Sequence, residues 1–384
     1  MLELELENKL NELKLRLAET FVQREAEITA ILSGLLANEP VILVGEVGTA
    51  KTALIERLAK MINARYFYYL LTRFTEPDEL LGTLDINALR EGRYVRRTEG
   101  KLPQAEIIFL DEIFKASSAI RNILLDIILN KRIFSDGTYI QLPMLALYTA
   151  SNEVSTDVED MAFYDRLTVR SFVKSVSEDA WDELIEKGIL LDEKIDPPVI
   201  LNVDDIKSLQ KIVNERFKNI TQNNSLIRKY IEALATLKQR GVKISDRRKI
   251  KVLKIASAIS YIYGEKNVSL DSLAEALKFT AIHDEDELKK VEQVILELGL
   301  SSFYQHVQKL QVVTSELQNA ISATTSGGVE ELKMLSAIYK KALTVMSELP
   351  ENPRLIPYMK QLKSVVYRAR DVLEKKKIEL FGES

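Results

Sequence analysis

Gly45-Glu46-Val47-Gly48-Thr49-Ala50-Lys51-Thr52 lies between an apolar run, Pro40-Val41-Ile42-Leu43-Val44, and a segment with helical spacing, Ala53-Leu54-Ile55-Glu56-Arg57-Leu58-Ala59. Strand, tight turn and helix form the context a phosphate-binding loop requires. Glycines let the backbone curl so that successive N–H groups face one anion. The helix N-terminus adds unpaired N–H groups and a partial positive charge. Lys51 would reach the β- and γ-phosphates, and the Thr52 hydroxyl would ligate Mg²⁺. The general pattern has glycine before the lysine, where this chain has Ala50. Alanine cannot take positive φ cheaply, so a right-handed conformation is expected at this helix entry. The candidate nucleotide contacts are Gly45, Glu46, Val47, Gly48, Thr49, Ala50, Lys51, Thr52 and Ala53.

Some sixty residues on, Glu106-Ile107-Ile108-Phe109-Leu110-Asp111-Glu112 is a buried-strand run ending in adjacent acids. A continuous apolar run suits a parallel strand covered on both faces. Asp111 at its end would hold Mg²⁺, and Glu112 would orient or deprotonate the attacking water. Paired with the loop, these acids point to nucleotide hydrolysis. Asn152 follows another apolar run, 144–150. It is either an ordinary strand-end asparagine or a polar amide near the γ-phosphate, since ligands bind beyond the carboxyl ends of parallel strands.

The chain has 384 residues, enough for two or three domains, and its 46% apolar and 29% charged content marks a soluble globular protein. A net charge of −4 gives no bulk electrostatic case for nucleic-acid or membrane binding. The absence of cysteine removes disulfides, thiol chemistry and cysteine metal sites. His283 and His306 lie in helical stretches without metal-ligand spacing. No apolar run approaches the ~20 residues of a membrane span. The acidic start Met1-Leu2-Glu3-Leu4-Glu5 does not resemble a signal peptide, so the expected location is the cytoplasm.

Two helices are expected over 1–36, with Leu2, Leu6, Leu10, Leu13 and Leu17 as an apolar stripe that Leu4 and Leu15 broaden. Phe21 and Val22, just before the loop, are candidates either for folding over an adenine ring or for plain packing. Further strands are expected at 65–71, 144–150 and 171–174, with a helix at 117–130. The Asp136-Gly137 turn closes a hairpin over 132–142. The insert 82–105 carries Arg90, Arg93, Arg96, Arg97 and Lys101, and reads equally as a solvated loop or as one facing a pore or partner. A connector with a helix at 178–187 precedes an all-helical region. Helices are expected at 203–216, 223–240, 246–263, 269–280 and 284–297, then at 300–323, 329–348 and 354–379, the last three separated by Gly327-Gly328 and by Pro350 and Pro353. Ser245-Asp246 is an N-cap signal. Arg247 and Arg248 then sit in a first turn whose dipole opposes them, which calls for a compensating anion.

These motifs together resemble the MoxR family of AAA+ ATPases, and within it the RavA branch. The residues that carry the resemblance are Gly45–Thr52 with alanine before lysine, Phe109-Leu110-Asp111-Glu112-Ile113-Phe114-Lys115-Ala116, and Ala150-Ser151-Asn152-Glu153. With them go Tyr164-Asp165-Arg166 with Arg170, Ser245-Asp246-Arg247-Arg248, and the insert from Leu81 to Glu106. The resemblance spans about residues 20–285. It implies an α/β fold: a P-loop NTPase αβα core with a five-stranded parallel sheet (1–195), an all-α lid (196–297) and a C-terminal three-helix extension (298–384). It implies a hexameric ring with ATP and Mg²⁺ at subunit interfaces. Lys51 and Thr52 would be Walker A, Asp111 and Glu112 Walker B, and Asn152 sensor 1. Arg166 would be the arginine finger with Arg170 as a second, and Arg248 or Arg247 would be sensor 2. RavA-type proteins interrupt their C-terminal helices with a β-rich domain. Residues 299–384 hold only helices here, so the triad is expected without that insert.

The leading function is an ATP-driven remodelling or chaperone-like machine that acts on a protein client or loads a metal or cofactor. A von Willebrand factor A partner is implied by the resemblance. The alternative is a nucleic-acid motor or restriction-type NTPase, which the net charge disfavours and the basic insert keeps open. A non-hydrolysing scaffold conflicts with the intact Lys51, Asp111, Glu112, Asn152 and Arg166.

Overall fold

The structure, a computed structural model, describes residues 2–154, 157–193, 195–326, 328–350 and 352–382. The chain divides into two compact units, Met1–Val176 with Glu183–Val294, and Ser177–Asp182 with Ile295–Ser384.

In the first unit, α1 (Leu2–Thr20) buries Leu6, Leu10, Leu13 and Leu17, spaced as one helical stripe. The side chain of Leu2 lies outside the described set. Leu4 and Leu15 do not broaden this face; both are exposed, because α1 packs along a single line. Helix α2 (Glu25–Ala37) is buried from Glu27 to its end. It is followed by β1 (Val41–Gly45), α3 (Lys51–Met61) and β2 (Tyr66–Leu70). The short helix α4 (Pro77–Leu81) leads into the insert, which holds α5 (Ile86–Arg90), one antiparallel bridge, Leu84 to Arg96, and a 3-10 turn at Leu102–Gln104. Then come β3 (Ile107–Asp111), α6 (Ser118–Asn130), the hairpin β4 (Arg132–Ser135) and β5 (Thr138–Gln141), β6 (Ala146–Ser151), α7 (Val158–Tyr164) and β7 (Val169–Val173). Asp136 and Gly137 turn the hairpin with φ of 50° and 76°, the left-handed pair that matches strand twist.

Strands β2-β3-β6-β1-β7 form one parallel five-stranded sheet. Its inner strands are apolar at successive positions because helices cover both faces. Ile42, Val44, Ile108, Leu110 and Leu147 pack with Ile120, Leu124 and Ile127 of α6 and with Phe163 and Tyr164. On the opposite face α2 lies across the sheet, and the Tyr148 hydroxyl donates to the Ile31 carbonyl at 3.0 Å. This is the expected αβα core. All five strands end on one side, which we call the loop end; their starts form the far end.

Helix α8 (Trp181–Asp192) follows β7, then α9 (Val203–Asn219), α10 (Asn224–Gln239), α11 (Asp246–Ile262), α12 (Leu270–Thr280) and α13 (Glu285–Glu297). His283 sits in the turn between α12 and α13 rather than in a helix; its backbone N–H and its ring Nδ1 each lie 2.8 Å from the Glu287 carboxylate. Helix α11 packs on α2, and Glu39 joins the two layers. It accepts from Lys254 at 2.7 Å, from Lys251, and from the Thr168 hydroxyl at 2.9 Å.

The second unit is a bundle of α14 (Ser302–Ser326), α15 (Val329–Glu348) and α16 (Ile356–Phe381) around Leu310, Leu317, Leu335, Leu362 and Val365. It contains no strand among the described residues, in keeping with a triad that lacks an inserted β-rich domain. Gly327 lies outside the described residues. Among those described, no helix is long and apolar enough to cross a membrane.

Candidate nucleotide site

The loop leaves β1 at Gly45, where a Cβ would stand 2.2 Å from the Val173 carbonyl oxygen; only glycine lets the edge strand approach so closely. Gly48 has φ of 83°. Ala50 departs from expectation: it is left-handed, with φ 63° and ψ 22°. The chain must turn sharply here to aim the first N–H groups of α3 into the loop, and that turn overrides alanine's preference. Lys51 folds back into this cradle. Its ammonium donates to the carbonyls of Gly45 at 2.7 Å and Glu46 at 2.8 Å, and lies 3.4 Å from the Thr49 hydroxyl. Burial lowers its pKa, while Asp111 and Glu112 work against that shift.

Asp111 ends β3 at the same side of the sheet. Burial raises its pKa, opposed by the Glu112 N–H that it accepts at 2.9 Å. Glu112 is itself left-handed, with φ of 54°. Its carboxylate accepts from the Asn152 amide at 2.7 Å and lies 3.3 Å from the Lys115 ammonium. Lys51, Asp111, Glu112 and Asn152 are thus gathered at the loop end, with Thr52 in the first turn of α3. The donor set fits a hard cation: a hydroxyl and a half-buried carboxylate. Among the described residues no cluster of three or more metal-ligating side chains exists. A cation at Thr52 and Asp111 would therefore complete its shell with phosphate oxygens and water.

Sequence reasoning passed over Arg24. It is buried, donates Nε to the Thr49 carbonyl at 3.3 Å and ties the turn after α1 to the phosphate loop. Beside it Glu27 is buried, and burial raises its pKa to about 7 against the pull of Arg24. The signal was present as Arg24-x-x-Glu27 at a helix start. Phe21 and Val22 flank this turn and are both buried within the chain itself.

The arginines lie elsewhere. Strand β7 runs parallel to β1, with Val169 opposite Val41 and Val173 opposite Gly45. Arg166 precedes β7, so it belongs to the far end. The steps from Val169 to Val173 alone span about 13 Å, and Arg166 lies beyond them. One of its terminal nitrogens reaches the Ala162 carbonyl, while its buried Nε has no partner in the chain. Arg170 is not a finger in this geometry. The strand begins two residues earlier than expected, which makes Arg170 a strand residue with no exposed surface. Its guanidinium stacks 3.6 Å from the Tyr164 ring and donates to the carbonyls of Ile282, Tyr164 (2.6 Å) and Leu167 (3.3 Å). Burial lowers its pKa to about 10.

Arg248 is also buried. It donates to the Thr280 carbonyl at 2.7 Å and the Thr168 carbonyl at 3.2 Å, and its other nitrogen lies 3.9 Å from Asp165. Asp165 is the anion that the first turn of α11 called for, and it also accepts from the cap residue Ser245 at 3.2 Å. Arg247 is exposed. Arg170 and Arg248 therefore pin the helical layer to the core, whereas at the far end Arg166 is half-buried and Arg247 is exposed.

A family model describing the MoxR domain in the MoxR-vWA-beta-propeller ternary systems matches residues 8–211. The uncharacterized protein MJ0812 of Methanocaldococcus jannaschii is 36% identical over 331 residues, covering 86% of this chain and 85% of that protein. The chaperone MoxR1 of Mycobacterium tuberculosis is 25% identical over 206 residues, 51% of this chain and 52% of its own length. A crystal structure of a candidate ATPase from Cytophaga hutchinsonii superposes with a TM-score of 0.62 at 17% identity, over 77% of this chain and 95% of that one. It shares the fold.

Proposed function

The chain belongs to the MoxR family of AAA+ ATPases, and from that premise we propose that it hydrolyses ATP at sites shared between neighbouring copies in a hexameric ring. The observation that carries this reading is the separation of the two halves of the chemistry. Lys51, Asp111, Glu112 and Asn152 stand at the loop end, while Arg166 and Arg247 stand at the opposite end of the same sheet. No side chain spans that distance, so Arg166 or Arg247 acting on the γ-phosphate has to belong to another copy. Arg166, half-buried beside the Ala162 carbonyl, is the candidate for that role. Arg247, tied to the same end through Ser245 and Asp165, is the exposed candidate for sensor 2.

Each residue then has a task. The loop N–H groups and Lys51 bind the phosphates, exchanging the lysine's present carbonyl partners for phosphate oxygens. Thr52 and Asp111 would hold Mg²⁺, which when bound offsets the charge of the β- and γ-phosphates. Glu112 polarises the attacking water, and Asn152 holds its carboxylate in place. The neighbour's Arg166 end stabilises charge that grows on the transferring phosphoryl group, which makes turnover depend on assembly. Phe21 and Val22 would border the adenine only if their packing opens, and Arg24 sets the loop beneath them.

We assign residues 1–195 to the nucleotide core, 196–297 to the lid and 298–384 to a helical extension. The work done is chaperone-like remodelling or metal or cofactor insertion on a protein client in the cytoplasm. The family model's own description supports a von Willebrand factor A partner, and the MoxR1 match supports a chaperone role. A RavA-like branch rests on the motifs alone. The nucleic-acid reading is weakened, because four of the insert's five cations have internal partners: Arg93 with Glu91, Arg96 with Asp78, Arg97 with Asp85, and Lys101 with the Glu79 carbonyl.

Mixing two inactive variants tests the shared site. Lys51→Ala and Arg166→Ala should each abolish turnover. An equimolar mixture should recover about a quarter of wild-type activity, since random assembly pairs an intact loop with an intact finger at that frequency. A mixture as inactive as its components would refute sharing between copies.

A further inference from the structure

Arg24 is a buried cation whose guanidinium is fixed before it meets the phosphate loop. Its own carbonyl accepts the Ile28 N–H at 2.8 Å and so opens α2, which is buried from Glu27 onward. Its Nη1 donates to the Gln23 carbonyl at 2.8 Å, in a turn where Gln23 is left-handed with φ of 54°. From that anchored position Nε donates to the Thr49 carbonyl at 3.3 Å. Thr49 is clasped from the loop side as well, where its hydroxyl donates to the Glu46 carbonyl at 2.9 Å.

A peptide unit is planar and trans, so its C=O and N–H point in opposite directions. The Thr49 carbonyl faces Arg24, so the N–H of the next residue, Ala50, faces away from the turn between α1 and α2. Among the described residues no backbone carbonyl accepts that N–H. It stands directly before Lys51, at a helix start whose first N–H groups are open to an anion. The arrangement is costly to alanine: φ 63° and ψ 22° are left-handed, disfavoured by a factor of about 5–30 in population. Turning the Thr49–Ala50 peptide over rotates ψ of Thr49 and φ of Ala50 and takes Ala50 out of that region. It also breaks the bond to Arg24 and puts a carbonyl oxygen where the N–H had faced the anion.

We propose that Arg24 is a positioning residue for phosphate binding: its hold on the Thr49 carbonyl keeps that peptide from turning over, and the Ala50 N–H stays aimed at the phosphates. The proposal rests on the nucleotide-site reading above. It also accounts for alanine where the general loop pattern has glycine. The arginine imposes from outside the backbone conformation that glycine adopts without cost.

The test is a double-mutant cycle on the full chain: wild type, Arg24→Met, Ala50→Gly and the pair, with Arg24→Gln as the conservative variant. Methionine keeps the length of the stem but has a methyl where Nε donates. Glutamine has an amide nitrogen at that place and no charge. Affinity for a fluorescent ATP analogue, kcat and KM are measured on each variant once circular dichroism shows it folded. The apparent dissociation constant rises as the fraction of correctly turned loops falls. Arg24→Met should weaken analogue binding about tenfold and raise KM to match. Its kcat should stay within about twofold of wild type, because Glu112 and Asn152 are untouched. In the Ala50→Gly background the same substitution should cost less than about threefold. Arg24→Gln should stay within about threefold of wild type, since the donor to Thr49 is kept. An equal loss in both backgrounds, Arg24→Gln as weak as Arg24→Met, or Arg24→Met with unchanged affinity each overturns the positioning role. If Arg24→Met does not fold, hydrogen exchange on the wild-type chain decides. The analogue should slow exchange of the Ala50 N–H at least about tenfold, and unchanged exchange overturns the proposal. A wild-type chain that binds no analogue overturns the nucleotide site itself.

Discussion

Removing the Glu39 carboxylate should loosen the helical layer from the core. Glu39 is 5% exposed, between α2 and β1, and accepts from Lys251, Lys254 and Thr168. A buried carboxylate lost from such a network costs about 3–5 kcal/mol when its partners stay buried. Lys251 and Lys254 keep 31% and 21% side-chain exposure and regain water, which brings the expected cost of Glu39→Ala down to about 2–4 kcal/mol. For a unit of this size that is a fall in Tm of about 6 °C. The pH dependence follows from the carboxyl's own shift. Burial works to raise its pKa, but Lys254 and Lys251 outweigh burial and hold it below the ordinary value. A depressed folded pKa gives stability that is full above the unfolded value near ~4.3 and is lost as pH falls through the folded value. The gap between wild type and Glu39→Ala, followed by circular-dichroism melting, should therefore be wide at pH 7 and shrink below pH ~4. A gap under ~0.5 kcal/mol at pH 7, or one that persists unchanged at pH 3, would refute the latch.

Ala50→Gly should stabilise the chain by about 0.5–1 kcal/mol. Relief of the left-handed strain, about 1–2 kcal/mol, exceeds the 0.5–1 kcal/mol that glycine loses in conformational entropy, and the exposed methyl gives up no burial. A loss of about 1 kcal/mol in urea titration would instead mean a right-handed Ala50 in solution. Asn152→Ala should release the Glu112 carboxylate and lower turnover about 100-fold, with affinity for a fluorescent ATP analogue within about threefold of wild type. Turnover within about twofold of wild type would remove Asn152 from the site.

The loop-end chemistry is legible in the residues themselves because each of its parts is local. Gly45 to Thr52 needs a strand before it and a helix after it, and both are written in neighbouring residues. Asp111 and Glu112 announce themselves as acids closing an apolar run. The helices from residue 203 onward follow from periodicity, and the Asp136-Gly137 turn from its own backbone needs. Local reading fails where a side chain's partners lie far away in the chain. The family resemblance makes Arg170 a second finger, yet it is a buried strut because Ile282 comes to meet it. Arg24 and Glu39 look like ordinary loop charges until Thr49 and Lys254 are beside them. Leu4 and Leu15 count toward an apolar face that packing never uses.

Ala50 marks the boundary. Its identity in the loop pattern is a matter of sequence, and its local preference is right-handed, yet closure of the loop against β7 and α3 holds it at φ 63°. Residue order alone therefore settles which elements form and which groups meet at the loop end, since propensity, period and motif act over a few residues. The parallel register of β1 and β7 settles that Lys51 and Arg166 stand at opposite ends of one sheet. That separation comes from pairing segments more than a hundred residues apart, an event whose free energy lies in long-range burial and not in any local stretch.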